Sequence, residues 1–419
     1  MQTRYSSRGG KDADGSAHES TAIRLPIDRT NPFDPPPELE DLRRKHPVCP
    51  LQYPDDHLGW LVTSHALGRT LLGDTRFSIR PQRPPVGDPA KSAEFFAASA
   101  DFPHNEGALI ELDPPQHTRI RRFQTGYFTV RRVGDHRASI ERIATGRLEI
   151  LEGLGPPVDL VEHFCLPFSS FVLCEILGVP ESDRTNFERP NELIQDPNTS
   201  PSEKMAALKA FTDYSRHVIT LKRANPQDDL LSELATAGDL SDMELTGIAL
   251  QLFSAGHETT ANMLALSVFA LLSERSRWEE LCGNPEYLES AVEELLRWVT
   301  IAQLGAFTRT ALEDIDVDGT VIRRGQGVTV SLSAANRDPA AFPEPDTCDL
   351  QRNARNHLAF GHGRHMCLGQ HLARLELQVA LTALMTRFPD MRLEVPMQDV
   401  PLVDREKFLH GVRDLLVSW

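Results

Sequence analysis

The chain has 419 residues, of which 40% are hydrophobic and 25% charged, and its formal net charge is −16. An acidic body of this kind is not built to lie on nucleic acid or an anionic membrane, and no apolar run reaches the ~18–20 residues of a membrane-spanning helix. The cysteines (Cys49, Cys165, Cys174, Cys282, Cys348 and Cys367) are scattered with no CxxC pair, so they read as reduced thiols of a soluble cytoplasmic protein and not as a disulfide framework.

Residues 1–25 are polar and Gly/Ser-rich, lack the apolar core of a signal peptide, and read as a disordered tail. Residues 26–419 show no dividing linker and no internal repeat, so one domain is expected. Pro-rich sequence at NPFDPPPELEDLRRKHP leads into a short amphipathic helix, and PLQYPDDHLGWLVTS reads as a hairpin about its Pro-Asp-Asp turn. Residues 81–107, rich in Pro and Ala without periodicity, are expected to form a long lid or binding loop. From 112 to about 300 the pattern is mainly helical, with Gly and Pro breaks at 153–157, 196–201 and 226. Residues 314–331 alternate and turn at Asp-Gly and Arg-Gly, as β-hairpins do. LGQHLARLELQVALTALMTRF is an amphipathic helix, and FLHGVRDLLVSW reads as a closing strand. The fold class is mainly α with a minor β region.

Two stretches carry chemistry. In FGHGRHMCLG, residues 360–369, one cysteine is presented by three glycines immediately before a helix. Glycine permits positive φ and close approach to a flat ligand, and helix N-terminal amides stabilise a thiolate. Zinc is one candidate, because His357, His362, His365, Cys367 and His371 lie close in sequence, but their spacing matches none of the structural zinc pairs. The GxG here has no third glycine in register and no βαβ unit around it, so it is not a dinucleotide fingerprint. A lone thiolate among glycines suits haem iron.

The second stretch, SDMELTGIALQLFSAGHETTANMLALSVFALLSE, reads as one long helix over 241–274 with Ser241 and Glu244 as its capping box. It is apolar nearly all round except at AGHETT, and polar groups inside a buried helix must be satisfied by something. Ala255 and Gly256 leave room for a ligand, and Thr259 can return its hydroxyl to the Ala255 carbonyl. Glu258 is an ionisable group beside them, so the pair can deliver protons to a molecule bound there.

Together these stretches resemble the cytochrome P450 family, specifically its soluble actinobacterial members. The pattern FGxGxHxCLG is met by Phe360, Gly361, Gly363, His365, Cys367, Leu368 and Gly369. The mid-helix pattern is met by Ala255, Gly256, Glu258, Thr259 and Thr260, and ExxR by Glu294 and Arg297. The resemblance spans about 30–419. It implies a triangular, helix-rich prism with haem b between a long central helix and the cysteine loop. In that fold Cys367 is the axial thiolate, with Phe360, Gly361 and Gly369 around it and Ala255 and Gly256 over the ring. His117 and Arg121 (one helix face at i,i+4), Arg309 and His365 match the haem-propionate donors. Glu294, Arg297 and Arg352 match a structural network, and Glu258 and Thr259 the proton-delivery pair. The chain departs from the family at Cys348, where an aromatic is usual, and adds a charge at Arg364.

The activity so implied is a monooxygenase that uses O2 and two electrons to hydroxylate or epoxidise a mid-sized hydrophobic substrate such as a macrolide, polyketide, terpenoid or steroid. Leu252, Ala255, Thr259, Ile301 and Leu304 are expected to touch that substrate, with the 81–107, 195–203, 251–255, 301–306 and 404–410 segments lining the pocket around them. The chain has no flavin or iron–sulfur motif, so a ferredoxin and ferredoxin reductase are the expected electron source, docking on Arg119, Arg121, Arg122, Arg131, Arg132 and Arg364. A monomer, with no nucleic-acid or membrane partner, is expected. A peroxide-driven haem-thiolate enzyme and a non-catalytic haem protein are the alternatives. The acid–threonine pair argues against the first, and the relay and docking face against the second.

Overall fold

The structure, a computed structural model, describes residues 22–419 except 81–84, 86, 100–101, 103, 197, 303–307 and 406–408. Most of the tail expected over 1–25 thus lies outside the described residues, but order begins before residue 26. Ile23 bridges to Leu51 and Leu25 is buried.

Helices follow one another in the order α1 (Glu38–Lys45), α2 (His65–Gly73), α3 (Pro89–Ala98), α4 (His104–Gly107), α5 (Gln116–Thr125), α6 (Val130–Asp135), α7 (Arg137–Leu154) and α8 (Leu166–Leu177). The second half continues with α9 (Thr185–Gln195), α10 (Pro201–Ala224), α11 (Leu230–Thr236), α12 (Asp242–Gly256), α13 (Glu258–Leu272), α14 (Arg275–Gly283), α15 (Leu288–Val299), α16 (Leu332–Ala335) and α17 (Gln370–Arg387). Among the described residues no single helix is long and apolar enough to cross a membrane.

The hairpin expected at the Pro-Asp-Asp turn forms: β1 (Val48–Gln52) pairs antiparallel with β2 (Leu58–Val62). The sheet runs β1-β2-β8-β5-β3, with β3 (Phe77–Ser78), β5 (Arg309–Ala311) and β8 (Gly327–Val330), and β2 takes β8 in parallel. A separate hairpin of β6 (Ile315–Val317) and β7 (Thr320–Ile322) occupies the Asp-Gly turn. The closing strand β10 (Leu416–Ser418) lies between β4 (Val158–Asp159) and β9 (Arg392–Leu393).

Two expectations are corrected. The 81–107 segment holds helices α3 and α4, not one long loop. The Asp88 carboxylate accepts the Ala90 N–H at 2.9 Å and starts α3, and the alanines that follow have high helix propensity. The helix expected over 241–274 is two helices, α12 and α13, that break at His257. Its start is as expected, with both bonds of the Ser241–Glu244 capping box made. Leu264, Leu266, Val268 and Phe269 of α13 are fully buried, so this helix forms the centre of the largest hydrophobic cluster. Burying such residues contributes roughly 1.5–3 kcal/mol each, which holds α13 in place despite the polar break at its N-terminus.

Candidate functional site

The loop from Phe360 to Gly369 is closed by the Cys367 N–H, which donates to Phe360 O at 2.9 Å. Gly361 and Gly363 take φ of +70° and +73°, as anticipated. A Cβ on Gly363 would also stand 2.6 Å from Leu72 O, so the loop packs directly on the end of α2. Gly369 differs: its φ is −82° and it caps α17, contributing an amide toward the sulfur and no unusual backbone. Cys367 is exposed, but into an internal cavity of about 320 Å³ and not to bulk water. Burial raises its thiol pKa, opposed by the Gly369 amide, Arg121 and Arg374. A bound cation would reverse the balance and deprotonate it.

Behind the loop the ExxR network is complete. Arg297 donates through Nε and Nη2 to Glu294, each at 2.7 Å, and both side chains are fully buried. Arg352 Nε reaches Glu294 Oε1 at 3.1 Å, and the Asp349 N–H donates to the same oxygen at 3.0 Å. Arg297 Nη1 satisfies the carbonyls of Asn336 and Pro345 at 2.8 Å each. Cys348 is simply buried beside this network. A neighbouring cluster escaped the sequence reading. Arg374 stacks on the Phe360 ring at 4.6 Å and ion-pairs with Glu293, which lies 3.3 Å from His357. Burial alone would raise Glu293, but His357 and Arg374 hold it at about 2.

At one edge of the cavity, Arg121, Arg309 and His365 line the wall, and the ring of His117 lies 4.4 Å from that of His365. Both ring nitrogens of His117 and Nε2 of His365 are buried with no hydrogen-bond partner among the described residues. Burial, then Arg121 and Arg364, push His117 down to about 4. Burial and Arg309 push His365 down to about 3. Guanidiniums and the His365 imidazole on one cavity, with His117 packed against His365, form a site for carboxylates, and the propionates of haem fit it.

On the opposite wall, Thr259 Oγ1 donates to Ala255 O at 2.7 Å, as predicted. Ala255 faces the cavity, but Gly256 also serves packing, because a Cβ there would stand 2.7 Å from Leu173 Cδ1 on α8. Ser169 of α8 donates to His257 O at 2.9 Å, so a side chain takes up a carbonyl at the helix break. Glu258 is the correction here. It does not line the cavity, and its Oε2 accepts from Asn191 Nδ2 of α9 at 3.3 Å. Asn191 Oδ1 in turn accepts the Ser254 hydroxyl at 2.6 Å. A carboxylate pointed into an apolar cavity would lack donors, and Asn191 supplies one.

Leu252, Ala255, Thr259 and Ile301 line the cavity as expected, while Leu304 lies outside the described residues. Leu409 joins them from the 404–410 turn, of which 406–408 lie outside the described residues. No described residue of 195–203 reaches the cavity, and Ser200 there caps α10 together with Glu203. Another cavity residue not anticipated is Glu376, on the stripe of α17 between buried Leu375 and Val379. Burial raises its carboxyl pKa well above the usual range, and Oε2 has no partner. The predicted basic face also shrinks. Arg119 pairs with Glu244, Arg132 with Glu233 at 3.0 Å, Arg364 reaches Phe77 O and Arg121 turns inward to Met366 O. Arg122 and Arg131 stay exposed, without ion pairs among the described residues. Among those residues no group of three His, Cys, Asp or Glu could hold a metal, so the zinc alternative finds no site.

One sulfur facing a cavity edged by guanidiniums and an imidazole defines a haem-thiolate protein. The family model described as cytochrome P450 matches residues 186–414. The chain is 42% identical over 392 residues to cytochrome P450 105C1 of a Streptomyces species, covering 93% of this chain and 97% of that one. It is 39% identical to pentalenic acid synthase of Streptomyces avermitilis, over 96% and 98% of the two chains. The solved structure of mycinamicin VIII C21 methyl hydroxylase from Micromonospora griseorubida matches with a TM-score of 0.86 at 36% identity, covering 94% and 99%. The chain belongs to the cytochrome P450 family. Its cofactor is haem b, and it is a monooxygenase that draws electrons from a redox partner.

Proposed function

We propose that this chain forms a single catalytic domain over 26–419, a cytoplasmic monomer that takes electrons from a ferredoxin and its reductase. Its substrate is a mid-sized hydrophobic natural product of the macrolide, polyketide or terpenoid kind, which it hydroxylates or epoxidises. The observation that carries this reading is the placement of Cys367 and Thr259 on one apolar cavity edged by Arg121, Arg309 and His365. Supporting the substrate class are the lining residues Ile79, Leu109, Leu252, Ile301 and Leu409, relatives named for pentalenic acid and mycinamicin, and a similar structure solved in complex with filipin I.

When bound, haem supplies the activation of dioxygen. Cys367 would hold its iron, and His117, Arg121, Arg309 and His365 its carboxylates. Leu252, Ala255 and Ile301 exclude water and press the substrate toward the cavity centre. The Thr259 hydroxyl, already bonded to Ala255 O, holds a proton at the helix break. Glu258 is the outer member of the pair. Tethered to Asn191, it returns protons to Thr259 by turning about its side-chain bonds. Arg122 and Arg131 form the part of the basic face left for an acidic ferredoxin.

The test is the optical spectrum of the reduced protein with carbon monoxide. A thiolate-type band is expected, and Cys367→Ala should abolish it. Retention of that band in the variant would refute the assignment. Reconstituted turnover with ferredoxin should fall as salt rises.

A further inference from the structure

Among the described residues, one side-chain amide interrupts the apolar wall on the substrate side of the cavity. Gln251 of α12 lies one helical turn before Ala255, among the lining residues Leu109, Ile110, Leu252, Ile301 and Leu409. Its Oε1 accepts the backbone N–H of Leu109. A backbone N–H can only donate, so this bond fixes which end of the amide is oxygen. The Nε2 end therefore turns away from Leu109, and no residue described in the structure accepts from it.

The tie is stiff. Gly107 lies so close to α12 that a Cβ there would stand 2.1 Å from Glu244 O and 2.7 Å from Ile248 N. Arg119 adds an ion pair to Glu244. The segment from Gly107 to Leu109 is thus pinned along α12, and Gln251 cannot invert its amide without stranding the Leu109 N–H.

We propose, resting on the monooxygenase reading above, that Gln251 Nε2–H is the donor that selects and orients the substrate. The substrate is then a hydrophobic molecule that carries an acceptor oxygen, as a ketone, lactone carbonyl or ether. Four residues of helix separate Gln251 from Ala255, a rise of ~6 Å. That is the span of about five saturated bonds of ~1.5 Å, so oxidation falls at a carbon remote from the acceptor and not beside it. A ligand of the same shape without the oxygen dries the cavity and leaves the N–H unpaired, which a site built this way rejects.

The test uses the haem-loaded protein and two probes of one ring size, cyclododecanone and cyclododecane. Binding is read by the water-displacement optical shift and by calorimetry. Wild type is expected to prefer the ketone by about 10-fold beyond the ratio set by the probes' water–octanol partition. Gln251→Met should cost the ketone that ~10-fold and leave cyclododecane unchanged. Gln251→Glu should regain ketone affinity as pH falls and the acid becomes a donor. The proposal is overturned if wild type shows no preference beyond partition, or if Gln251→Met weakens both probes equally, as a packing role would. Should a variant not hold haem, the wild-type preference decides alone. Loss of the thiolate-type band in wild type would sink the monooxygenase reading instead, and calorimetry would still report on Gln251.

Discussion

The wall that carries Cys367 and the wall that carries Thr259 treat their polar groups in opposite ways. Behind Cys367, Glu294 is met by both Nε and Nη2 of Arg297, by Arg352 and by the Asp349 amide, and Glu293 by Arg374 and His357. Both of these carboxylates have several fixed partners, so the loop is presented rigidly. Across the cavity, among the described residues, the Thr259 side chain makes one hydrogen bond, to Ala255 O, and the Glu258 carboxylate has one donor, Asn191, at 3.3 Å. The exception on the cysteine side is Glu376 of α17, one of whose oxygens has no partner among the described residues. Networks that are fully satisfied fix a geometry, whereas singly bonded groups can exchange partners. A metal ligand benefits from the first, and groups that pass protons require the second.

The contrast can be broken most forcefully at Arg297. Arg297→Ala leaves Glu294 buried without its two-pronged partner, and chemical denaturation should show a loss of about 3–5 kcal/mol together with poor haem retention. Arg297→Lys should recover only part of this, because an ammonium cannot match both carboxylate oxygens at once. Wild-type stability in the alanine variant would show that the network does not hold the loop. Thr259→Ala should act on the other wall in a different manner. Stability should change by less than ~1 kcal/mol, yet product formed per oxygen consumed should fall on the order of 10-fold, with peroxide released instead. Unchanged coupling would remove Thr259 from proton delivery.

The smallest effect concerns two glutamates with shifts of opposite sign. Glu376 is raised in the folded protein, so the fold holds a proton that the unfolded chain releases. Stability should therefore decline as pH rises above the unfolded value of about 4.3, by up to ~1.4 kcal/mol per pH unit, and Glu376→Gln should flatten that slope. Glu293, held at about 2, works the other way. Its contribution is present above about pH 4.3 and fades as pH falls toward 2, and Glu293→Gln should flatten the acid limb. Denaturation curves at several pH values check both.

What could be read from the sequence by itself depended on residues close together in the chain. The glycine turns at Gly361 and Gly363, the Ser241–Glu244 cap, the Glu294–Arg297 pair and the Thr259–Ala255 bond are each set by spacing within one element, and each is found as read. The helix over Pro89–Ala98 was also within reach, since its alanines outweigh the flanking prolines. Packing between distant segments decided the rest. Glu258 is turned from the cavity by Asn191, 67 residues away, and Arg119 is withdrawn from the docking face by Glu244, 125 residues away. Gln251 owes the direction of its amide to Leu109, 142 residues away. Spacing along an element fixes which residues share a face, but the direction in which a polar side chain finally points is chosen by whichever partner the fold brings within ~3 Å of it.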